Sequence, residues 1–474
     1  MKRWGFLACI LVASLTSWTQ TASAYDITVD GNPADWTMAA PTNIDTGHIA
    51  RNASLQGEYI WTDALGDQRT DFANSEAVDI LQVRITANQT HMFFLIQLAG
   101  IDIPLGDGAP QIQIAIDADY IPGSGEQWLG SLADTQVAPQ ASWEFLVVTR
   151  FGSAQVPAVY TPGFVEVGLG TTSAVLMGDF IEIGVPFSVG LDALPPAPLQ
   201  FTVVSLRANA IDEAWDVAGV SDVMDAVTNY GDPGLPGNTW DEVSDALVDY
   251  HFSVWFHLDP DIEPSAPLVV NEVLYDPVIE PDEEWIEIFN RTGIDGYSLD
   301  GHKVGDEETV DGAIEGMVAF PVGGTINLDS VVVMANDGLA YETLYGFPAD
   351  FELNDAGATP DMIDYPLWTG SNILLANASD QLLLLDPFDT VIDAIAYGGG
   401  TYPGVIAGVN VVQGHSLERP QAREDSNDCL RDFVDRSTPT PGQVSWLLDL
   451  GQACDEWIEC LSDFCADSVC CENA

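Results

Sequence analysis

Lysine is almost absent from this sequence. The 474 residues contain 13 Lys and Arg against 73 Asp and Glu, which gives a formal net charge of -60. Outside residues 1–24, which read as a leader, the only lysine is Lys303. Nucleic acids and anionic membrane surfaces are bound through Lys and Arg, so this composition argues against both as partners. The charge attracts cations instead, and we expect calcium; a solvated acidic surface suited to salty water is the alternative.

Long apolar runs are lacking beyond the N-terminus. Residues 4–15 are mostly apolar, follow Lys2 and Arg3, and lead to an Ala-Ser-Ala end at residues 22–24. This is the pattern of a secretory signal peptide with cleavage after residue 24. No later run reaches the roughly 18 apolar residues that a membrane-spanning helix needs. We therefore predict a secreted or cell-surface protein without membrane insertion.

Cysteine is scarce except at the C-terminal end. Seven cysteines are present, of which Cys9 lies in the leader. In an exported chain, crowded cysteines indicate disulfides; a zinc knuckle is the alternative, but no histidine lies nearby. We predict a disulfide-rich tail over residues 444–474. The predicted disulfide cysteines are Cys429, Cys454, Cys460, Cys465, Cys470 and Cys471.

Familiar catalytic motifs are also missing. The sequence has no HExxH, no GxSxG elbow, no phosphate-binding loop and no GxGxxG after a predicted strand. Its six histidines are scattered. We therefore predict that the protein is not an enzyme. The alternative is a metal-dependent extracellular hydrolase of glycans or phosphoesters, since paired carboxylates can serve as general acid and base.

What the sequence does contain is the period-two alternation of β-strands. In residues 111–117 Ile alternates with Gln, Ala and Asp, which predicts buried isoleucines and outward glutamines. Residues 180–185 and 250–258 show the same alternation. The chain also contains 42 Gly and 28 Pro, which favour turns between short strands. We therefore predict an all-β fold class.

The alternation and a proline-rich break divide the chain into two units. Residues 259–267 contain three prolines and predict an extended linker. We expect one β-sandwich domain at 25–258 and a second at 268–443, followed by the cysteine-rich tail.

The second unit resembles the lamin tail domain. The matching segments are VNEVLYDP at 270–277, EWIEIFN at 284–290, SLDG at 298–301, SLER at 416–419 and TPTPG at 438–442. The resemblance implies an immunoglobulin-like fold and a binding or tethering role, and little more about function.

The first unit resembles the β-sandwich modules appended to secreted amylases, pullulanases and glucodextranases. The matching segments are VDGNPADW at 29–36, YIWTDALGD at 59–67 and IDAD at 116–119. This resemblance implies carbohydrate binding. The terminal cysteine run is similar to cysteine-rich segments of secreted myxobacterial proteins.

Two acidic loops are candidate calcium sites. Asp63, Asp67 and Asp71 recur at four-residue intervals on a Gly-bearing loop, and Asp79 follows on the next strand. Calcium takes six to eight oxygen ligands, which a flexible loop of carboxylates can supply. The alternative is a turn in which Asp side chains cap backbone N–H groups.

The second acidic loop contains Asp117, Asp119 and Glu126. The two aspartates are expected on one side of a strand end, and Glu126 can return across a Gly-rich turn. The alternative is a solvated hairpin tip.

Three tryptophans are candidates for sugar stacking. Trp61 and Trp128 lie beside the acidic loops, and Trp255 is predicted on the polar face of its strand. An indole ring offers an apolar face to a sugar; core packing is the alternative for each. Together these features predict a calcium-stabilised binding protein whose partner is polysaccharide or a surface protein, tethered through the second unit. A purely structural surface protein is a further alternative.

Overall fold

The structure, a computed structural model, describes most of residues 27–444 and four residues beyond. The predicted signal peptide lies outside the described residues, as does most of the tail after 444. The described ranges are 27–36, 47–51, 57–69, 75–151, 156–173, 179–191, 199–216, 221–227, 246–257, 263–308, 315–354, 357–369, 372–422, 425–444, 465–466 and 469–470.

Strands dominate the described secondary structure, which confirms the all-β prediction. Strands of the first half are β1 Gly47–Arg51, β2 Gly57–Thr62, β3 Ile80–Ala87, β4 His91–Leu98, β5 Pro110–Asp117, β6 Gln136–Val137, β7 Phe145–Val148, β8 Ala158–Thr161, β9 Val165–Leu169, β10 Thr171–Ser173, β11 Phe180–Pro186, β12 Leu199–Arg207, β13 Asp225–Ala226, β14 Leu247–Val248, β15 Phe252–Val254 and β16 Phe256–His257.

The second half continues in the same way. Its strands are β17 Glu263–Pro264, β18 Leu268–Leu274, β19 Trp285–Asn290, β20 Tyr297–Ser298, β21 Lys303–Gly305, β22 Met317–Ala319, β23 Thr325–Ile326, β24 Val331–Asp337, β25 Phe351–Asn354, β26 Ile363–Asp364, β27 Ser379–Leu385, β28 Val391–Gly398, β29 Ser416–Glu418, β30 Val434–Arg436, β31 Cys465–Ala466 and β32 Val469–Cys470.

Helices are few and short in the described residues. Two are α-helices and four are single 3-10 turns. None in this part of the chain is long and apolar enough to cross a bilayer. Their bounds are α1 Gly338–Tyr345, α2 Cys429–Asp432, and the 3-10 turns Pro33–Asp35, Ser75–Val78, Pro139–Ala141 and Phe187–Val189.

The largest sheet has eleven strands in the order β10-β11-β4-β3-β2-β1-β28-β27-β21-β22-β26. Its two halves join where β1 runs parallel to β28, with His48 opposite Val391. A second sheet has the order β13-β12-β5-β7-β8-β9 with β15 also on β12, and a third has the order β25-β24-β19-β18-β29-β30. One continuous apolar core draws residues from all three sheets. The domain boundaries stay predictions, but strands from both sides of residues 259–267 share one sheet.

The glutamines of β5 are buried, contrary to the predicted alternation. Gln111 donates through Nε2 to the Asp212 carbonyl at 3.1 Å, and Gln113 donates likewise to the Gly130 carbonyl at 3.1 Å. Both side chains are completely buried. Loops cover the second face of this sheet, so both faces of β5 are buried. The alternation of Ile and Gln therefore separates an apolar buried face from a polar buried face, and does not separate core from solvent.

Several of the scarce cationic side chains lie in the core. Arg419 is almost fully buried and reaches Asp393 (3.6 Å), Asp425 (3.6 Å) and Asp432 (3.4 Å). Arg51, from the first half of the chain, reaches the same Asp425 at 3.4 Å. This buried network therefore connects the two halves electrostatically, in addition to the shared sheet.

Cys429 is a free thiol in this structure, which corrects its assignment to the disulfide set. It begins α2, is buried, and its sulfur accepts the Ala396 N–H at 3.5 Å. Burial raises the pKa of this thiol to about 12. Cys465 and Cys470 are register partners on β31 and β32. The other predicted disulfide cysteines, Cys454, Cys460 and Cys471, lie outside the described residues.

Candidate functional site

The first acidic cluster consists of Asp67, Asp79 and Asp225, which we call the first trio. One carboxylate oxygen from each lies within 4.8 Å of the others. Asp79 precedes β3, while Asp225 begins β13 and arrives through the pairing of β13 with β12. Sequence reasoning missed Asp225, because only this long-range pairing brings it to the loop. No local motif around Asp225 signals the contact.

Asp225 is completely buried and tightly held. Its Oδ2 accepts the Ile80 N–H at 2.6 Å, and its Oδ1 accepts the Ala226 N–H at 3.0 Å. Burial raises the pKa of Asp225 well above its usual range, and the charges of Asp67 and Asp79 raise it further. Three carboxylates this close favour either a shared proton or a bound cation.

The remaining predicted residues of this loop are placed differently. Asp63 is buried, and its Oδ1 accepts the Ala64 N–H at 3.1 Å, but it is not a member of the trio. Asp79 accepts the Gly66 N–H through Oδ2 at 3.0 Å. Asp71 lies outside the described residues. The loop therefore contributes two of the four predicted ligands, with Asp225 as the third member of the trio.

The second acidic cluster consists of Asp117, Asp119 and Glu144, the second trio, again with oxygens within 4.8 Å of one another. Asp117 ends β5, and its Oδ1 accepts the N–H groups of Asp119 (3.0 Å) and Tyr120 (2.9 Å). Glu144 accepts the Ala118 N–H through Oε2 at 2.9 Å. Its Oε1 is buried and has no hydrogen-bond partner. This oxygen remains able to bind a cation.

The structure brings Glu144, and not Glu126, to the two aspartates. Glu126 forms an isolated antiparallel bridge with Trp143, so the next residue, Glu144, faces the end of β5. The Glu126 carboxylate instead accepts the following N–H, from Gln127, at 3.0 Å. Gly125 makes this approach possible, because a Cβ there would lie 2.5 Å from Glu144 Oε1.

In the second trio, burial and neighbouring carboxylates raise the pKa values of two of the three acidic groups. Burial raises the pKa of Asp117, and the charge of Asp119 adds to the shift. Burial likewise raises the pKa of Glu144, with Asp119 and Asp117 adding to it. Backbone N–H groups partly offset these shifts. A cation between the two carboxyl groups would oppose these shifts, because an adjacent positive charge lowers the pKa of a carboxyl group.

Two of the three candidate tryptophans are core residues. Trp61 is completely buried and stacks on Phe252 with centroids 5.5 Å apart, so it offers no face to a sugar. Trp255 is 8% exposed, because the segment around Tyr297 covers the face predicted to be polar. Trp128 is 45% exposed, so it is the one of the three with a free surface.

Trp255 lines a cavity of about 110 Å³ where the two halves of the chain meet. Tyr120, which follows β5, and the turn between β27 and β28 complete its wall. Its surface is mainly apolar, with the carboxylate of Asp386 as the one charged group. The lining residues are Ile49, Tyr120, Ser253, Trp255, Pro267, Tyr297, Asp386, Pro387, Phe388, Thr390 and Ile392.

No protein-family model matches this sequence, and no curated protein matches it. The resemblances to the lamin tail domain and to the modules of starch-degrading enzymes therefore stay predictions that depend on the segments quoted above.

Proposed function

We propose that this chain is a non-catalytic binding protein, stabilised by calcium, that works outside the cell or on its surface. The observation that carries the proposal is the pair of carboxylate trios. Each joins segments that are separate in the sequence, as a structural calcium site does when it clamps loops together.

Calcium is the cation that suits these donors best. Both trios contain carboxylate oxygens alone, without histidine or cysteine. Hard oxygen donors favour calcium or magnesium over zinc and copper, and the irregular loop geometry favours calcium, which tolerates variable coordination. The overall charge of -60 raises the local concentration of divalent cations.

For the architecture we infer two β-sandwich units joined through the eleven-stranded sheet, with the second unit immunoglobulin-like and responsible for tethering. The first unit would bind the ligand, and polysaccharide is the class we propose. Trp128 supports this, because its side chain is exposed and its backbone N–H donates to Glu126 Oε1 at 3.4 Å, on the segment that flanks the second trio.

Thermal unfolding with calcium and with a chelator tests the metal proposal. Calcium at about 100 times its dissociation constant adds roughly 2.7 kcal/mol per site. Asp225→Asn should remove the contribution of the first trio, and Glu144→Gln that of the second. The matched control is Asp364→Asn, an exposed aspartate outside both trios. An equal calcium shift in all four proteins would overturn the proposal.

Retention on insoluble polysaccharides tests the ligand class. We expect retention with calcium, weaker retention with chelator, and loss on Trp128→Ala. If the wild-type chain passes through every polysaccharide matrix in the presence of calcium, the carbohydrate part of the proposal is wrong, whatever the calorimetry shows.

A further inference from the structure

The cavity between the two halves of the chain has aromatic walls. Trp255 and Tyr297 meet at right angles, with ring centroids 5.8 Å apart and an interplanar angle of 90°. Tyr120 and Phe388 also line the cavity. Tyr120 is 37% exposed and lies at the solvent side, so the cavity is open to a small ligand.

One carboxylate faces this aromatic surface. Asp386 is 6% exposed, and its Oδ1 accepts the N–H groups of Phe388 (2.8 Å) and Thr390 (2.9 Å). No hydrogen bond from the described residues reaches its Oδ2. The side chain of Lys303 pairs with the carboxylate of Asp389 and donates to the backbone carbonyls of Asp386 and Pro387, each at 3.2 Å, and not to the Asp386 carboxylate. The Asp386 carboxylate therefore has no cationic side chain bonded to it within the described structure.

We propose that this cavity binds a methylated ammonium group, as in choline or a trimethylated amine. Aromatic faces attract such a cation through their quadrupoles, and the attraction strengthens when the site is desolvated. Asp386 supplies the opposite charge. The cation needs no hydrogen bonds, which suits a wall whose polar groups are few.

Other ligand classes fit this cavity less well. A sugar needs many hydrogen-bonding partners, and the hydroxyl of Ser253 is already engaged by the Tyr120 hydroxyl at 2.6 Å. A purely apolar ligand would leave the buried carboxylate of Asp386 uncompensated, which is costly. A metal ion would find one carboxylate among aromatic rings, far short of a coordination sphere.

The size of the cavity is consistent with this ligand. A dry cavity of about 150 Å³ can hold benzene, which has six heavy atoms, and a trimethylammonium head has four. The volume of about 110 Å³ is therefore on the scale of the head group, and its substituent would leave the cavity beside the partly exposed Tyr120. This inference goes beyond the proposed function, since it requires neither calcium nor polysaccharide.

Titration calorimetry of the full chain with two probes tests the inference. Choline is the first, and 3,3-dimethylbutan-1-ol, which has the same shape without the charge, is the second. We expect choline to bind at least tenfold more tightly. Equal affinities for the two probes would mean that the cavity recognises apolar shape and not charge. No binding of choline would mean that the cavity is not a site for a methylated ammonium group. Either result with the wild-type protein overturns the proposal.

Substitutions then locate the site. Asp386→Asn keeps an oxygen to accept the two N–H groups and removes the charge, so we expect at least a tenfold loss of choline affinity without loss of folding. Trp255→Phe keeps an aromatic ring of smaller area and should weaken binding less. The control is Trp128→Leu, an exposed tryptophan outside the cavity, which should bind choline like wild type. Unchanged affinity in folded Asp386→Asn protein contradicts the proposal.

Discussion

Buried carboxylates occur in two kinds of surroundings in this molecule. Around Arg419, three aspartates each lie within 3.6 Å of the guanidinium, so negative charge is met by positive charge inside the protein. In the second trio, the charges that act on Glu144 are the carboxylates of Asp117 and Asp119. The difference shows where one of the few cations of this sequence is used: Arg419 compensates carboxylates of the core, whereas we propose that the second trio takes its cation from solvent.

The distribution of positive side chains supports this comparison. Arg207, Arg419 and Lys303 are all buried. Lys303 contacts the ring of Tyr365 at 4.7 Å in addition to its ion pair. Buried carboxylates nevertheless outnumber buried cationic side chains in the described residues, so the protein is short of positive charge inside as well as outside, which favours attraction of cationic ligands.

The largest effect should come from breaking the compensated network. Arg419→Met removes the guanidinium that three buried aspartates share, of which Asp425 keeps Arg51 as a partner, so we expect a loss of about 3–5 kcal/mol in the free energy of unfolding. Urea unfolding measures it. The matched control is Arg150→Met, which breaks the half-exposed pair with Glu166 at 2.7 Å and should cost no more than about 1 kcal/mol. Equal losses in the two variants would show that the buried Arg419 network contributes no more to stability than the half-exposed Arg150–Glu166 pair.

A second test concerns Glu272, which is buried near Glu418. Burial, and then the charge of Glu418, raises the pKa of Glu272 from 4.5 to about 7. The folded state thus holds a proton that the unfolded chain releases, so the free energy of unfolding falls as pH rises from 4.5 through 7. The slope from one such group is at most about 1.4 kcal/mol per pH unit.

Glu272→Gln should flatten this part of the pH profile, measured by denaturant unfolding between pH 4.5 and 8 without calcium. The comparison uses the difference in slope between variant and wild type. Contributions such as that of His48, whose pKa burial lowers to about 4, cancel in this difference. Parallel profiles for the two proteins would show that Glu272 does not carry the proton.

The third test extends the comparison to the cavity, where Asp386 is the single carboxylate and the proposed ligand is an organic cation. Burial raises the pKa of Asp386 from 3.8 to about 7, with Lys303 opposing the shift and Asp389 adding to it. The phenols of Tyr120 and Tyr297, the other titratable groups of the cavity, stay neutral because burial raises their pKa values. Choline affinity should therefore rise about tenfold from pH 6 to pH 8. A flat calorimetric profile would exclude Asp386 as the counter-charge.

The smallest expected effect is at the second trio without metal. In Glu144→Gln the amide oxygen can keep the hydrogen bond from the Ala118 N–H, and the amide nitrogen can donate towards Asp117 and Asp119. We expect the variant to be about 1 kcal/mol more stable than wild type in chelator. In calcium the order should reverse. A variant that is less stable by the same amount in both conditions would show that the trio needs no cation.

Much of the local structure could be predicted from the sequence. The alternation at 180–185 corresponds to β11, Phe180–Pro186. Asp117 and Asp119, which are predicted from the sequence to lie on one side of a strand end, both belong to the second trio, because residues two apart at a strand end lie on the same side. The prediction failed where alternation was equated with exposure, as at Gln113 and Trp255, since coverage of a sheet face is decided by distant segments.

By itself, the sequence determined the strand-rich class and the strong negative charge, since periodicity and composition are local properties. Only the tertiary structure decided which carboxylates meet. Asp225 reaches the first trio through the pairing of β13 with β12, and Glu144 reaches the second trio through the bridge between Glu126 and Trp143. Asp386 reaches the cavity through the joining of β1 to β28. Such pairings depend on the register of segments far apart in the chain, which no local pattern specifies.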